Sequence, residues 1–184
     1  MTAHIANDAF PREATMPVAV RWLGFGGLVP FFTLVGAMAL FGTDYRGFLL
    51  FVLVSYGAVI LSFVGALHWA FAMTAAADQP AIRTRLLAWS VVPALCAWAA
   101  MVLPAGFDLI LLVTMFWVHF AVDAVWARRL GLPSWYITLR TVLTVGATLA
   151  LTLAIAMLLL NPAGPPDLVP AQLTCPAESV GLEV

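Results

Sequence analysis

Residues Phe48–Met73 read FLLFVLVSYGAVILSFVGALHWAFAM, 26 residues without one Asp, Glu, Lys or Arg. As a helix this run rises about 39 Å at 1.5 Å per residue, more than the roughly 30 Å of bilayer hydrocarbon. It is long enough to cross with a tilt or to project past the lipid at one end. In lipid a backbone has no water to bond, so a run of this kind must pair its own amides as a helix.

Four more apolar runs flank it: Trp22–Gly42, Leu86–Leu103, Leu109–Ala127 and Thr141–Leu160. Hydrophobic residues make up 64% of the 184 and charged residues 9%, with a mean hydropathy of +1.03, far from the roughly 45–50% apolar content of soluble domains. The expected fold is all-α, a polytopic bundle of five transmembrane helices over 21–160. A flexible tail over 1–20 and a disordered, proline-rich tail over 161–184 complete the chain. Neither tail offers a soluble catalytic domain, and a net charge of −1 without a basic run gives no hold on nucleic acid.

Five crossings put the N-terminal tail and the second and fourth connectors on one side. That side holds Arg12, Arg21, Arg83, Arg85, Arg128, Arg129 and Arg140, the other side only Arg46, and lysine is absent. The positive-inside rule therefore predicts a cytoplasmic N-terminus and a periplasmic C-terminus. Asp8 and Glu13 precede the first run, which exceeds a signal-peptide core, so the first helix is expected to stay. A tail with as many acids as arginines before the membrane is unlike a mitochondrial transit peptide, which points to a bacterial inner membrane. Cys96 falls near mid-membrane and Cys175 in the outer tail, too far apart to form a disulfide; Cys96 reads as a small packing residue.

An ionisable group inside the membrane is costly and points to function. Counting inward from the cytoplasmic ends, Gly24, Gly26, Gly27, His68, Trp69, Trp89, Ser90, Asp123, Trp126 and Thr144 fall in one inner layer. On the fourth run Met115, Phe116, His119, Asp123 and Trp126 recur at three- and four-residue steps and share a face. Thr141, Thr144, Thr148 and Thr152 share a face of the fifth, with Thr144 level with Asp123 and Thr148 with His119. Those threonines either meet the fourth helix or bond their own backbone four residues back.

Ala58, Ser62, Ala66 and Ala70, with Gly65 beside them, form a small-residue stripe that permits close helix packing. His68 projects along another face, with Gly57, Leu61 and Val64, while Trp69 stands near the stripe. Pro30 and Pro93 each remove a backbone donor and free the carbonyls of Gly26 and Trp89. His68 and His119 are chemically suited to a haem or metal, but His119 counts about one turn deeper, and no metal-binding spacing supports the pair. No cofactor or metal is predicted, with haem or quinone as the alternative. Asp123 is expected to pair with His119, Arg128 or Arg129, or else to carry a proton. Arg128, Arg129, Trp135, Tyr136 and Arg140 read as a basic and aromatic rim that anchors the chain in the bilayer, attracts anionic lipid at the cytoplasmic face, or docks on a larger complex.

The segments YGAVILSFVGALHW (56–69), LAWSVVP (87–93) and LPSWYITLR (132–140) resemble a family of small bacterial membrane proteins of unknown function that also includes mitochondrial transmembrane protein 69. The likeness runs from Arg21 to about Leu160. It implies a compact five-helix protein of energy-transducing membranes and supplies no reaction, substrate or catalytic residue. Two functions remain open. One is a non-catalytic accessory, assembly or stabilising component of a larger membrane complex, such as a respiratory one, or of a homo-oligomer. The other is a pocket protein in which the candidates His68, Trp69, Trp89, Ser90, His119, Asp123, Trp126, Thr144 and Thr148 bind a quinone, lipid or small solute and relay a proton.

Overall fold

The computed structural model describes residues 15–41, 45–74 and 78–160. Residues 1–14 of the first tail and the whole of the second, with Cys175 and Gly42, lie outside them, while Val18–Val20 already belong to a helix. Six helices follow one another: α1 (Val18–Gly26), α2 (Val29–Leu40), α3 (Arg46–Met73), α4 (Pro80–Val102), α5 (Phe107–Leu130) and α6 (Ser134–Leu160). Among the described residues there is no strand. Taking α1 and α2 together, five segments are long and apolar enough to cross a membrane.

The first crossing is two helices where the sequence suggests one. Pro30 sits in the first turn of α2, where its missing N–H costs nothing, and the chain steps between the helices at Gly27 and Leu28. The Tyr56 hydroxyl of α3 donates to the Gly27 carbonyl at 2.9 Å and braces the step. Pro93, by contrast, stays inside a continuous α4.

Three other boundaries move outward. α4 begins at Pro80, six residues before Leu86, and α5 runs on to Leu130. α6 begins at Ser134, seven residues before Thr141. Hydropathy ends a run at the first polar side chains, whereas a helix ends where its backbone is broken. Here Gly131, in the left-handed region at φ 67°, closes α5, and Pro133 directly precedes α6. The stretch that reads as a connector, Trp135 to Arg140, is thus the first two turns of α6.

The main core gathers Phe31, Leu53, Leu61, Leu109, Leu112 and Leu151 from α2, α3, α5 and α6. A smaller cluster of Ala72, Leu86 and Trp126 lies toward the arginine-rich end. α3 and α4 approach closely at Gly65. A Cβ there would lie 2.9 Å from Pro93 Cβ and 3.2 Å from the Ser90 carbonyl oxygen, so only glycine lets the backbones come this near.

Candidate functional site

The polar residues of three helices converge on one carboxylate. Asp123 of α5 is 1% exposed, His68 of α3 and His119 of α5 are 0%, and Arg140 of α6 is 5%. The Arg140 Nε–H donates to Asp123 Oδ2 at 2.5 Å. On the other side His68 Nε2 stands 3.5 Å from Asp123 Oδ1, and His119 Nε2 stands 3.8 Å from Oδ2. Helical spacing puts His119 one turn from Asp123, and the packing of α3 against α5 brings His68 to the same carboxylate.

A fourth helix orients the group. Trp89 Nε1–H of α4 donates to His119 Nδ1 at 3.2 Å, with the two ring planes parallel to within 4°. A neutral imidazole whose Nδ1 accepts carries its proton on Nε2, the atom that faces Asp123. The His68 and His119 rings meet edge to face with centroids 5.1 Å apart. The Tyr136 hydroxyl turns toward the same carboxylate but forms no hydrogen bond of ordinary geometry.

The placement differs from the sequence expectation in four respects, and it decides between the two alternatives for the threonines. Asp123 pairs with Arg140, not with Arg128 or Arg129, which lie exposed at the end of α5; Arg129 instead lies over the buried Trp126 ring, 5.3 Å from its centroid. Arg140 is an interior residue rather than a rim anchor, because the earlier start of α6 turns it inward. His68 and His119 touch, where depth counting set them a turn apart. Trp69 is 55% exposed and stays out of the cluster. Thr148 bonds its own helix, its hydroxyl donating to the Thr144 carbonyl at 2.8 Å, and Thr152 does the same to Thr148 at 2.7 Å. The Ser90 hydroxyl likewise donates to Leu87 O at 2.7 Å, and Thr144 is buried beside them on α6.

Ligand atoms of His68, His119 and Asp123 all lie within 4.8 Å of one another, which invites a test for a metal. The donor set does not fit one. The Nδ1 lone pair of His119 is taken by Trp89, and Asp123 Oδ2 by the Arg140 guanidinium, so a cation would meet a cation. Nor is there room for a haem between two imidazoles already in edge-to-face contact. The sequence reading passed over Tyr56 and Asp108. The Asp108 carboxylate caps α5 by accepting from the backbone N–H of Gly106 at 2.8 Å and of Leu109 at 2.7 Å.

Two grooves flank the cluster. One, between α3 and α4, encloses about 570 Å³ and is walled by Ser62, Ala66, Trp69, Ala70 and Ala94. The other, between α1, α3 and α6, encloses about 560 Å³ and includes Trp135, Tyr136 and Arg140 in its wall.

Fold and cluster together define a multi-pass helical membrane protein organised around a buried Asp–Arg pair with two histidines. Residues 16–156 match the model of the family described as "Protein of unknown function (DUF3429)", and the chain belongs to that family. It is also 34% identical over 136 residues to Transmembrane protein 69 of Xenopus tropicalis, a match that covers 73% of this chain and 53% of that protein. The chain thus spans about half the length of this curated relative. No solved structure matches.

Proposed function

We propose that the chain is a non-catalytic component of a bacterial inner membrane, its arginine-rich end at the cytoplasmic face, which stabilises or helps to assemble a larger membrane-protein complex. The observation that supports this reading is the α3/α4 groove. Its hydroxyls are already satisfied: Ser62 donates to Ala58 O at 2.8 Å, Thr74 to Ala70 O at 2.7 Å and Ser90 to Leu87 O at 2.7 Å. What remains is a shallow surface of alanines with Trp69 along one edge.

Between helices in lipid there is no hydrophobic drive, so association rests on close van der Waals packing, which small side chains allow. A transmembrane helix of another protein fills such a groove better than mobile acyl chains do. The buried charges support the same reading, since Asp123 and Arg140 engage each other and hold α5 to α6.

Gentle extraction from the native membrane followed by native mass spectrometry tests the proposal. The unaltered chain is expected to carry a stoichiometric protein partner, and Ala66→Leu with Ala70→Leu to lose it while still folding. A homo-oligomer lost on the same substitutions would assign the groove to a second copy. A lone chain in both samples would overturn the assembly role.

A further inference from the structure

The second groove differs in its unmet hydrogen bonds. Arg140 uses its Nε on Asp123, but its Nη2 has no acceptor, and neither have the Tyr136 hydroxyl and the Trp135 Nε1. All three are buried donors on the first two turns of α6, and all three residues line the α1/α3/α6 groove. A buried donor without an acceptor costs free energy, and native structures rarely leave one, let alone three in one place.

The rest of the wall is apolar, with Leu23, Phe63, Leu67 and Leu143 from three helices. Arg140 and Tyr136 lie six and two residues from the start of α6, about 9 and 3 Å along the axis at 1.5 Å per residue. The donors therefore sit near one end of the bundle and the alkyl wall extends from them.

We infer that this groove binds a membrane amphiphile whose head presents acceptor oxygens and no need for a counter-cation, with its tail along Leu23, Phe63 and Leu67. The chemistry is that of a quinone carbonyl or of a phospholipid ester carbonyl. Asp123 balances the Arg140 charge, so the three donors offer hydrogen bonds without a full positive charge. Trp135 and Tyr136 are half-buried, and both residues line the groove. The site is distinct from the α3/α4 groove, and the inference does not rest on the assembly role.

The test uses the full chain delipidated in dodecyl maltoside, titrated separately with decylubiquinone and with phosphatidylglycerol and read by native mass spectrometry. One probe is expected to bind one per chain, and which of the two does so identifies the source of the acceptor. Tyr136→Phe, which keeps the ring, is expected to weaken it about tenfold, the size of one hydrogen bond. Leu67→Trp, which fills the groove from α3, is expected to abolish binding while Trp69→Phe leaves it unchanged. Binding of neither probe, or equal binding to the unaltered chain, Tyr136→Phe and Leu67→Trp, would overturn the inference.

Discussion

Two grooves of nearly equal size, about 570 and 560 Å³, share α3 as a wall, and they differ in their hydrogen bonds. On the α4 side each serine hydroxyl is met by its own helix, so only shape is left to satisfy. On the α6 side three donors lack acceptors. Volume alone would treat the two alike. Hydrogen bonding separates a surface suited to a helix from one suited to a polar head.

The α6 side depends on one buried pair, and the largest expected effect comes from breaking it. Asp123→Ala leaves the Arg140 charge in the bundle without a partner and is expected to cost about 3–5 kcal/mol. Thermal unfolding in detergent reads this, and Asp123→Ala with Arg140→Leu should recover much of it. A single variant as stable as the unaltered chain would mean that the pair does not hold α5 to α6.

Gly65→Leu comes next. A Cβ already collides with Pro93 at 2.9 Å, so forcing α3 from α4 should cost about 1–3 kcal/mol and widen the first groove while sparing the second. Equal loss of ligand binding on the α6 side would erase the distinction between them. Trp89→Phe removes the donor to His119 and is expected to cost about 0.5–1.5 kcal/mol. In ¹⁵N spectra of labelled histidine, the signature of the Nε2-protonated His119 ring should weaken; an unchanged pattern would mean that Trp89 does not set the tautomer. Ser62→Ala is the smallest change. Its hydroxyl bonds only the Ala58 carbonyl of its own helix, so stability should stay within about 0.5 kcal/mol, and a larger loss by the same unfolding assay would mean that a second partner uses this hydroxyl.

The crossings are legible in the sequence because lipid imposes one rule on every backbone, and Phe48–Met73 obeys it without exception. The faces are legible too: helical period alone puts Met115, Phe116, His119, Asp123 and Trp126 on one side of α5, and all five are buried. Depth is harder to read. Counting from hydropathy boundaries fails wherever polar residues continue a helix, and the seven residues from Ser134 to Arg140 turned an interior arginine into a seeming rim anchor. A signal was present. Tyr136, Arg140, Thr144 and Thr148 follow at four-residue steps, so extending the helical period backward from the threonines would have placed Arg140 on the inner face of α6. The contact between His68 and His119 depends on how α3 packs on α5, which no local pattern encodes. The same holds for the Tyr56 brace, whose partner is 29 residues away.

The most direct test is native mass spectrometry of the full chain from its own membrane, run beside Ala66→Leu with Ala70→Leu and beside Tyr136→Phe. Two grooves with separate occupants predict that the alanine variant loses the protein partner and keeps the amphiphile. Tyr136→Phe should weaken the amphiphile and keep the partner. Joint loss of both occupants in either variant, or loss of neither in both, would contradict the account.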